Sequence, residues 1–362
     1  LAIERSPERL TARRPPGAGV TVAVVDSGVA PGNGRIEVSR AVNLVGGGPL
    51  VSGHGTIVAG LIAGAPRPDG GGLVGVAPGA AIVSVRVLDS QQPRDGETGV
   101  TSGNVARGLD WVADNARAEG ITVANVSLAV PDSRELRRAV ERVQAAGVVV
   151  VAATGDRPTG EVDPLHAAFP GGFVSSEDAA ELVHPAGYRG VVAVNAVAPT
   201  GQDPYATVLR SGRTDVAAPS DGAVSVGPNA STCVVDRTST EYAAAVVSGV
   251  VALLRAEYPE DTPEQTVARL TTTADGSPTV RTPATGAGMV QPLEALTRDL
   301  RPDPRGRVTL SDPISSEEPR AVPPPPPEDL YAASRDRFVW WGLVAGGVLL
   351  LAIVLRPLLA RR

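Results

Sequence analysis

The chain has 362 residues, 43% hydrophobic, 20% charged and 3% aromatic, with 33 basic against 39 acidic side chains and a net charge of −6. The 41 Gly and 33 Pro leave it below the roughly 25–30% Pro plus Gly of low-complexity chains, which excludes disorder throughout, and the acidic balance excludes a nucleic-acid partner. The single cysteine, Cys233, excludes an internal disulfide or a multi-thiolate metal site and reads as a small apolar residue.

Residues 1–19, with Pro15 and Pro16, read as an N-terminal extension. They open at Leu1 without an apolar signal region, so the expectation is of a processed form. Every basic residue is Arg, a bias expected of a GC-rich bacterial coding sequence.

From 20 to 300, apolar runs rich in β-branched residues recur at Val20–Val25, Ala81–Leu88, Ile121–Leu128, Val148–Ala153 and Val191–Ala196. Helical patterns fall at Val105–Ala118, Ser133–Ala146 and Tyr242–Glu257. Continuous apolar strands alternating with amphipathic helices predict an α/β domain, with a parallel sheet between helices. In such folds functional groups collect at the C-terminal ends of the strands.

Asp26 closes the first run, VTVAVVDSGV, and is followed by the turn pair Ser27 and Gly28. By itself such an Asp caps a turn as readily as it serves chemistry. His54 lies in GHGTIVAGLIAG, where glycines flank the ring position and Thr56, Val58, Ala59 and Ile62 read as a helix of small residues. The other two histidines, His166 and His184, lie in Pro-rich loops without that framing. An Asp paired with a His supplies an oriented base. Asn125 and Asn229 each begin an N-x-[ST] triplet and read as structural residues.

Beyond residue 300 the composition changes. Residues 301–337 are Pro-rich and charged, with five consecutive prolines at Pro323–Pro327, and read as an extended spacer. Residues 338–355, FVWWGLVAGGVLLLAIVL, contain no charge and at 1.5 Å per residue reach roughly 27 Å, enough for one transmembrane helix. Trp340 and Trp341 suit the membrane interface, and Arg356, Arg361 and Arg362 in the tail 356–362 predict a cytoplasmic C-terminus and a domain facing outward.

The stretches VAVVDSGV, GHGTIVAGLIAG, GVAPGAAIVSVRVLD, ANVSLA, VVVVAATGD, GVVAVNAVAPTG, VAAPS and YAAAVVSGVVALL follow one another in the order of the subtilisin-like serine proteases. The chain resembles that family over roughly 20–296. With its Pro-rich stalk and single C-terminal apolar helix, it is most similar to the mycosins, membrane-anchored members tied to type VII secretion. The resemblance implies a subtilisin-like three-layer fold, Asp26 and His54 at retained triad positions, an N-terminal extension wrapping the domain, and secretion-system membrane proteins as partners.

The family's Gly-Thr-Ser-x-Ala-Ala-Pro is matched here by Ser239, Thr240, Glu241, Tyr242, Ala243, Ala244 and Ala245, which puts Glu241 at the nucleophile position. Asp156 falls where the family has the oxyanion-binding Asn. A carboxylate is a poor nucleophile toward an amide, and an ionised Asp156 repels an oxyanion that an amide would stabilise. The expectation is a pseudoprotease that acts as a scaffold.

A register shifted by two would instead make Ser239 the nucleophile of an active endopeptidase. Two extra residues rotate a helix by about 200°, and the ungapped match through Tyr242–Ala245 opposes that shift. A third reading is a groove that holds an extended peptide without cutting it. No cofactor and no metal are expected. A divalent ion among Asp26, His54, Asp156 and Glu241 is the rival to a charge-paired cluster in which His54 is protonated.

Overall fold

The computed structural model describes residues 15–66, 75–277, 280–308 and 332–359. The chain divides into two units, Leu1–Thr309 and Leu310–Arg362. In the first, the sheet strands are β1 (Thr21–Asp26), β2 (Val38–Asn43), β3 (Ala81–Arg86), β4 (Ile121–Val126), β5 (Val149–Ala153), β6 (Val192–Val197) and β7 (Val216–Pro219). A hairpin, β8 (Val224–Val226) and β9 (Thr232–Val234), stands apart from that sheet. The helices are α1 (His54–Ala63), α2 (Ser102–Asn115), α3 (Arg134–Ala145), α4 (Thr240–Glu257), α5 (Pro263–Thr272) and α6 (Pro292–Thr297).

The sheet runs β2-β3-β1-β4-β5-β6-β7, parallel throughout. Its interior strands are buried on both faces, which is why they read as unbroken apolar runs. Alternate residues serve the two layers. Val22 and Val24 of β1 pack with α1 and α4 through Val58, Ile62, Val247 and Val250. Ala23 and Val25 face α2 and α3 through Val105, Leu109, Leu136 and Val140. The result is the expected three-layer α/β fold.

Local chemistry sets the helix boundaries. Thr101 caps α2 and Ser133 caps α3 by accepting from the backbone N–H groups of Asn104 and Leu136. Thr262 and Gln265 form a capping box on α5, whose first residue is Pro263. Helix α4 is apolar nearly all round because it runs through the core; its buried positions extend from Tyr242 to Leu254. It begins at Thr240, two residues earlier than the apolar pattern indicates.

After β1 the chain builds β2 and β3 on one side, and β4 then starts the other. The strand order therefore reverses at β1, and a crevice forms beyond the C-terminal ends at such a point. Asp26 is the last residue of β1.

In the second unit, α7 (Ala332–Leu359) contains the apolar stretch Arg337–Arg356, with 20 residues and a mean hydropathy of 2.4. It is long enough to cross a membrane. The polyproline run, residues 1–14 of the extension and the terminal Arg361 and Arg362 lie outside the described residues.

Gly108 sets the seating of α2 on the sheet. A Cβ there would lie 2.5 Å from Val87 Cγ1 and 2.8 Å from Val25 Cγ1. Gly108→Leu is expected to destabilise by about 1–3 kcal/mol through overpacking, more than the gain of up to about 1 kcal/mol in helix propensity. Denaturant unfolding of the detergent-solubilised chain checks this; an unchanged or higher midpoint contradicts it.

Candidate active site

Three chain segments meet at one imidazole. Asp26 comes from the end of β1, His54 is the first residue of α1, and Glu241 lies in the first turn of α4. His54 Nδ1 is 2.9 and 3.0 Å from the two oxygens of Asp26, which is fully buried. Asp26 Oδ1 also accepts the backbone N–H of Ser27 at 2.6 Å. The glycine after His54 has a steric cause, because a Cβ on Gly55 would lie 2.6 Å from the Gly28 carbonyl oxygen and 3.1 Å from Asp26 Oδ1. Ser27 Oγ accepts the Gly55 N–H at 3.0 Å, and Thr56 Oγ1 accepts that of Ala30 at 2.9 Å. The Asp-Ser-Gly and His-Gly-Thr elements thus lock to each other.

On the other side of the ring, Nε2 lies 3.1 Å from Glu241 Oε2. The contact is an ion pair at hydrogen-bond distance. Gln91 Nε2 donates to Glu241 Oε1 at 3.0 Å. The Tyr242 ring lies 5.3 Å from the His54 ring, and the Arg237 guanidinium sits 5.7 Å from the Tyr242 centroid.

Burial works against a charged His54, but Asp26 and Glu241 outweigh it and hold the ring pKa well above its ordinary value. The two carboxylates thus favour the protonated ring. Of the three carboxylates expected around the ring, two stand against it. Among the described residues only Asp26 and Glu241 lie within ion-pair distance of the ring.

Asp156 is engaged elsewhere. Its Oδ1 accepts both the backbone N–H and the hydroxyl of Thr240, at 2.6 and 2.7 Å, which caps the first turn of α4 from a distant loop. Gly155 N–H donates to Thr240 Oγ1 at 3.2 Å. Burial, then the nearby Glu241 charge, raises the Asp156 carboxyl to about 6. Ser239 immediately precedes α4; its N–H donates to Ser220 Oγ at 2.8 Å, and its own hydroxyl is buried without a hydrogen bond.

A cavity of about 40 Å³ opens beside Glu241, lined also by Asp156, Asp163, Gln91, Leu128 and Leu165. Burial and the Glu241 charge push the Asp163 carboxyl upward as well. Gln91 and Asp163 belong to the site but carry no sequence signal, while Thr240 was visible only as part of the stretch around Glu241. Among the described residues no group of three or more His, Cys, Asp or Glu side chains is arranged to hold a metal ion. Asn125 is buried in β4 and donates to Ser248 Oγ at 2.9 Å, while Cys233 is half-buried in β9.

Against known proteins, the profile of the subtilase family matches residues 17–291. Mycosin-4 of Mycobacterium tuberculosis is 33% identical over 334 residues, covering 85% of this chain and 70% of the relative. The solved MycP3 protease from the type VII (ESX-3) secretion system is 33% identical with a TM-score of 0.61, covering 79% of this chain and 85% of the other. A chain in the structure of an intact ESX-5 inner membrane complex is 28% identical with a TM-score of 0.61, covering 94% and 86%.

The two shifted groups give the site one pH direction. His54 has a raised folded pKa, so its stabilising share is complete below its unfolded value of about 6.5 and is lost as pH climbs through the folded value. Asp156, raised from 3.8 to about 6, likewise contributes fully below its unfolded pKa and loses that share as pH rises through about 6. Asp156→Asn keeps the oxygen that caps Thr240 and removes the charge. It is expected to raise stability above pH 6 by on the order of 2 kcal/mol and to change it little near pH 4, as thermal melts at the two pH values will show. Glu241→Gln is expected to lower the His54 pKa in an NMR titration of the ring protons. An unmoved pKa contradicts the ion pair.

Proposed function

We propose, from the premise that this chain belongs to the subtilase family, that it is a membrane-anchored, mycosin-like pseudoprotease. Its work is structural or binding work in a type VII secretion assembly. The observation that carries this reading is the carboxylate of Glu241 lying 3.1 Å from His54 Nε2, at the position where a protease of this family needs an alcohol. With both ring nitrogens held against carboxylates, the imidazolium has no lone pair with which to accept a proton.

Nucleophilic attack by Glu241 on an amide is a poor alternative. The resulting anhydride would expel the carboxylate more readily than the amine. Asp156 adds to this, because an ionised carboxyl opposes the negative charge that develops on a tetrahedral intermediate; losing one oxyanion donor typically costs about 10²–10³ in turnover. Ser239 does not rescue the chemistry, since the carboxylate its hydroxyl approaches is that of Asp156 and the His54 ring is held by Asp26 and Glu241 instead.

The apolar helix supports a single-pass anchor. A short Arg-bearing tail is more easily retained on the cytoplasmic side than a large domain is misplaced, so the subtilase-like domain faces outward. The likeness to a chain of the ESX-5 inner membrane complex supports secretion-system membrane proteins as partners.

A fluorophosphonate probe tests the reading. The full-length protein in detergent is expected to give no stoichiometric adduct on Ser239 and no cleavage of a peptide library. Labelling or cleavage that disappears with Asp26→Ala or His54→Ala would establish an active peptidase instead.

A further inference from the structure

Two loops frame the His54 ring, and one buried side chain holds both of them. Arg86 is the last residue of β3, 6% exposed, and pairs in register with Asp26 on the neighbouring β1. Its guanidinium is nonetheless bonded to the loops. Nη1 donates to the Gly48 carbonyl at 2.9 Å and Nη2 to that of Pro49 at 3.1 Å, and Nη2 also forms an ion pair with Asp89.

We propose that Arg86 is a positioning residue for the site, fixing the contact between Glu241 and His54 through the loop that carries Gln91. Gly48 and Pro49 belong to the stretch between β2 and α1, and His54 is the first residue of α1. Asp89 lies in the connection from β3 to α2. Its Oδ2 accepts the Thr98 N–H at 2.8 Å and its own N–H donates to the Thr98 carbonyl at 2.8 Å, which closes that loop on itself. Gln91 sits inside the closed loop, and its amide holds Glu241 Oε1 at 3.0 Å. Burial works against a charged Asp89, but the Thr98 N–H and the Arg86 guanidinium outweigh it and keep the carboxyl below its ordinary value. The clamp is therefore charged at neutral pH.

Glu241 needs such support. Its side chain is 12% exposed, with Oε2 against the ring and Oε1 on Gln91. A carboxylate so placed, with one oxygen left without a donor, gains by turning toward water. The cavity that opens beside it offers the way out. Arg86 itself makes no hydrogen bond or ion pair to His54 or Glu241 among the described residues, so its influence on their contact runs through the loops.

Losing Arg86 has two consequences of opposite sign for the ring. As a bare charge, a nearby cation disfavours a second one, so its removal would raise the His54 pKa. As a positioning residue, Arg86 keeps a carboxylate against the ring, so its removal would lower that pKa. A role confined to the stability of the fold would lower the melting temperature and leave the pKa unmoved or raised.

An NMR titration of the His54 ring protons, on the full-length protein in detergent, separates these cases. Arg86→Gln is expected to lower the ring pKa, by less than Glu241→Gln does, and Gln91→Ala is expected to lower it as well. Combining Arg86→Gln with Gln91→Ala is expected to add little to either change, because both act through one link. Arg86→Lys keeps the charge, but one ammonium cannot reproduce the planar fork that spans two carbonyls and Asp89. A fall is expected there too, and it decides the question if Arg86→Gln does not fold. The inference rests on the same ion pair as the proposed function, so Glu241→Gln is the reference. No fall in that variant removes the pair on which both rest, whereas a fall there with an unchanged or raised pKa in the Arg86 variants overturns the role of Arg86 alone.

Discussion

The geometry of the site depends on one charged ring held between two carboxylates. Asp26, His54 and Glu241 come from the end of a strand and the starts of two helices, and the His54 ring ties those three segments together. A buried charge persists only when it is paired, and removing one partner leaves another uncompensated. Two carboxylates and one imidazolium leave an excess negative charge. The Ser27 N–H on Asp26 and the Gln91 amide on Glu241 offset part of it. Glu241 also sits in the first turn of α4, where the helix dipole favours an anion.

Much of this was legible in the sequence, for reasons that differ by element. Strands buried on both faces must be apolar at every position, so β1, β3, β5 and β6 stand out as runs. Asp26 and His54 were readable because the backbone around them demands glycine, as the close approach of Gly55 to Gly28 shows. Edge strand β2 was hidden, since Ser39, Arg40 and Asn43 face solvent and break any apolar pattern. The short β7, β8 and β9 offer three or four residues each, too few for periodicity. The links that complete the site were not legible at all. Gln91 meets Glu241 across 150 residues and Asp156 meets Thr240 across 84, and only the tertiary fold makes such pairs neighbours.

A long segment without helix or strand, from Arg157 to Val183, shows the same limit. Its composition reads as loop, yet it is clamped from within. The Arg157 guanidinium makes two 3.0 Å bonds to Glu177 and further bonds to the carbonyls of Gly171 and Tyr205. Beneath the clamp, Leu165, Phe169, Ala179, Val183 and Leu209 form a small core of their own. The two together fix Asp163 and Leu165 in the wall of the cavity beside Glu241. A polar clamp over a few apolar residues is enough to give an irregular segment a defined place.

The charges near α4 go beyond what capping requires. Asp156 supports the first turn of the helix through Thr240, but a neutral Asn offers the same acceptor oxygen. Its carboxyl also crowds Glu241, and that repulsion adds to burial in raising it to about 6. A region selected for stability alone would not keep both charges, because like charges sharing a buried site destabilise each other. Departures from local consistency of this kind concentrate where function acts. Here they set the His54 ring between the carboxylates of Asp26 and Glu241. That arrangement holds three segments together and, with both shifted groups raised, makes their stability fall as pH rises.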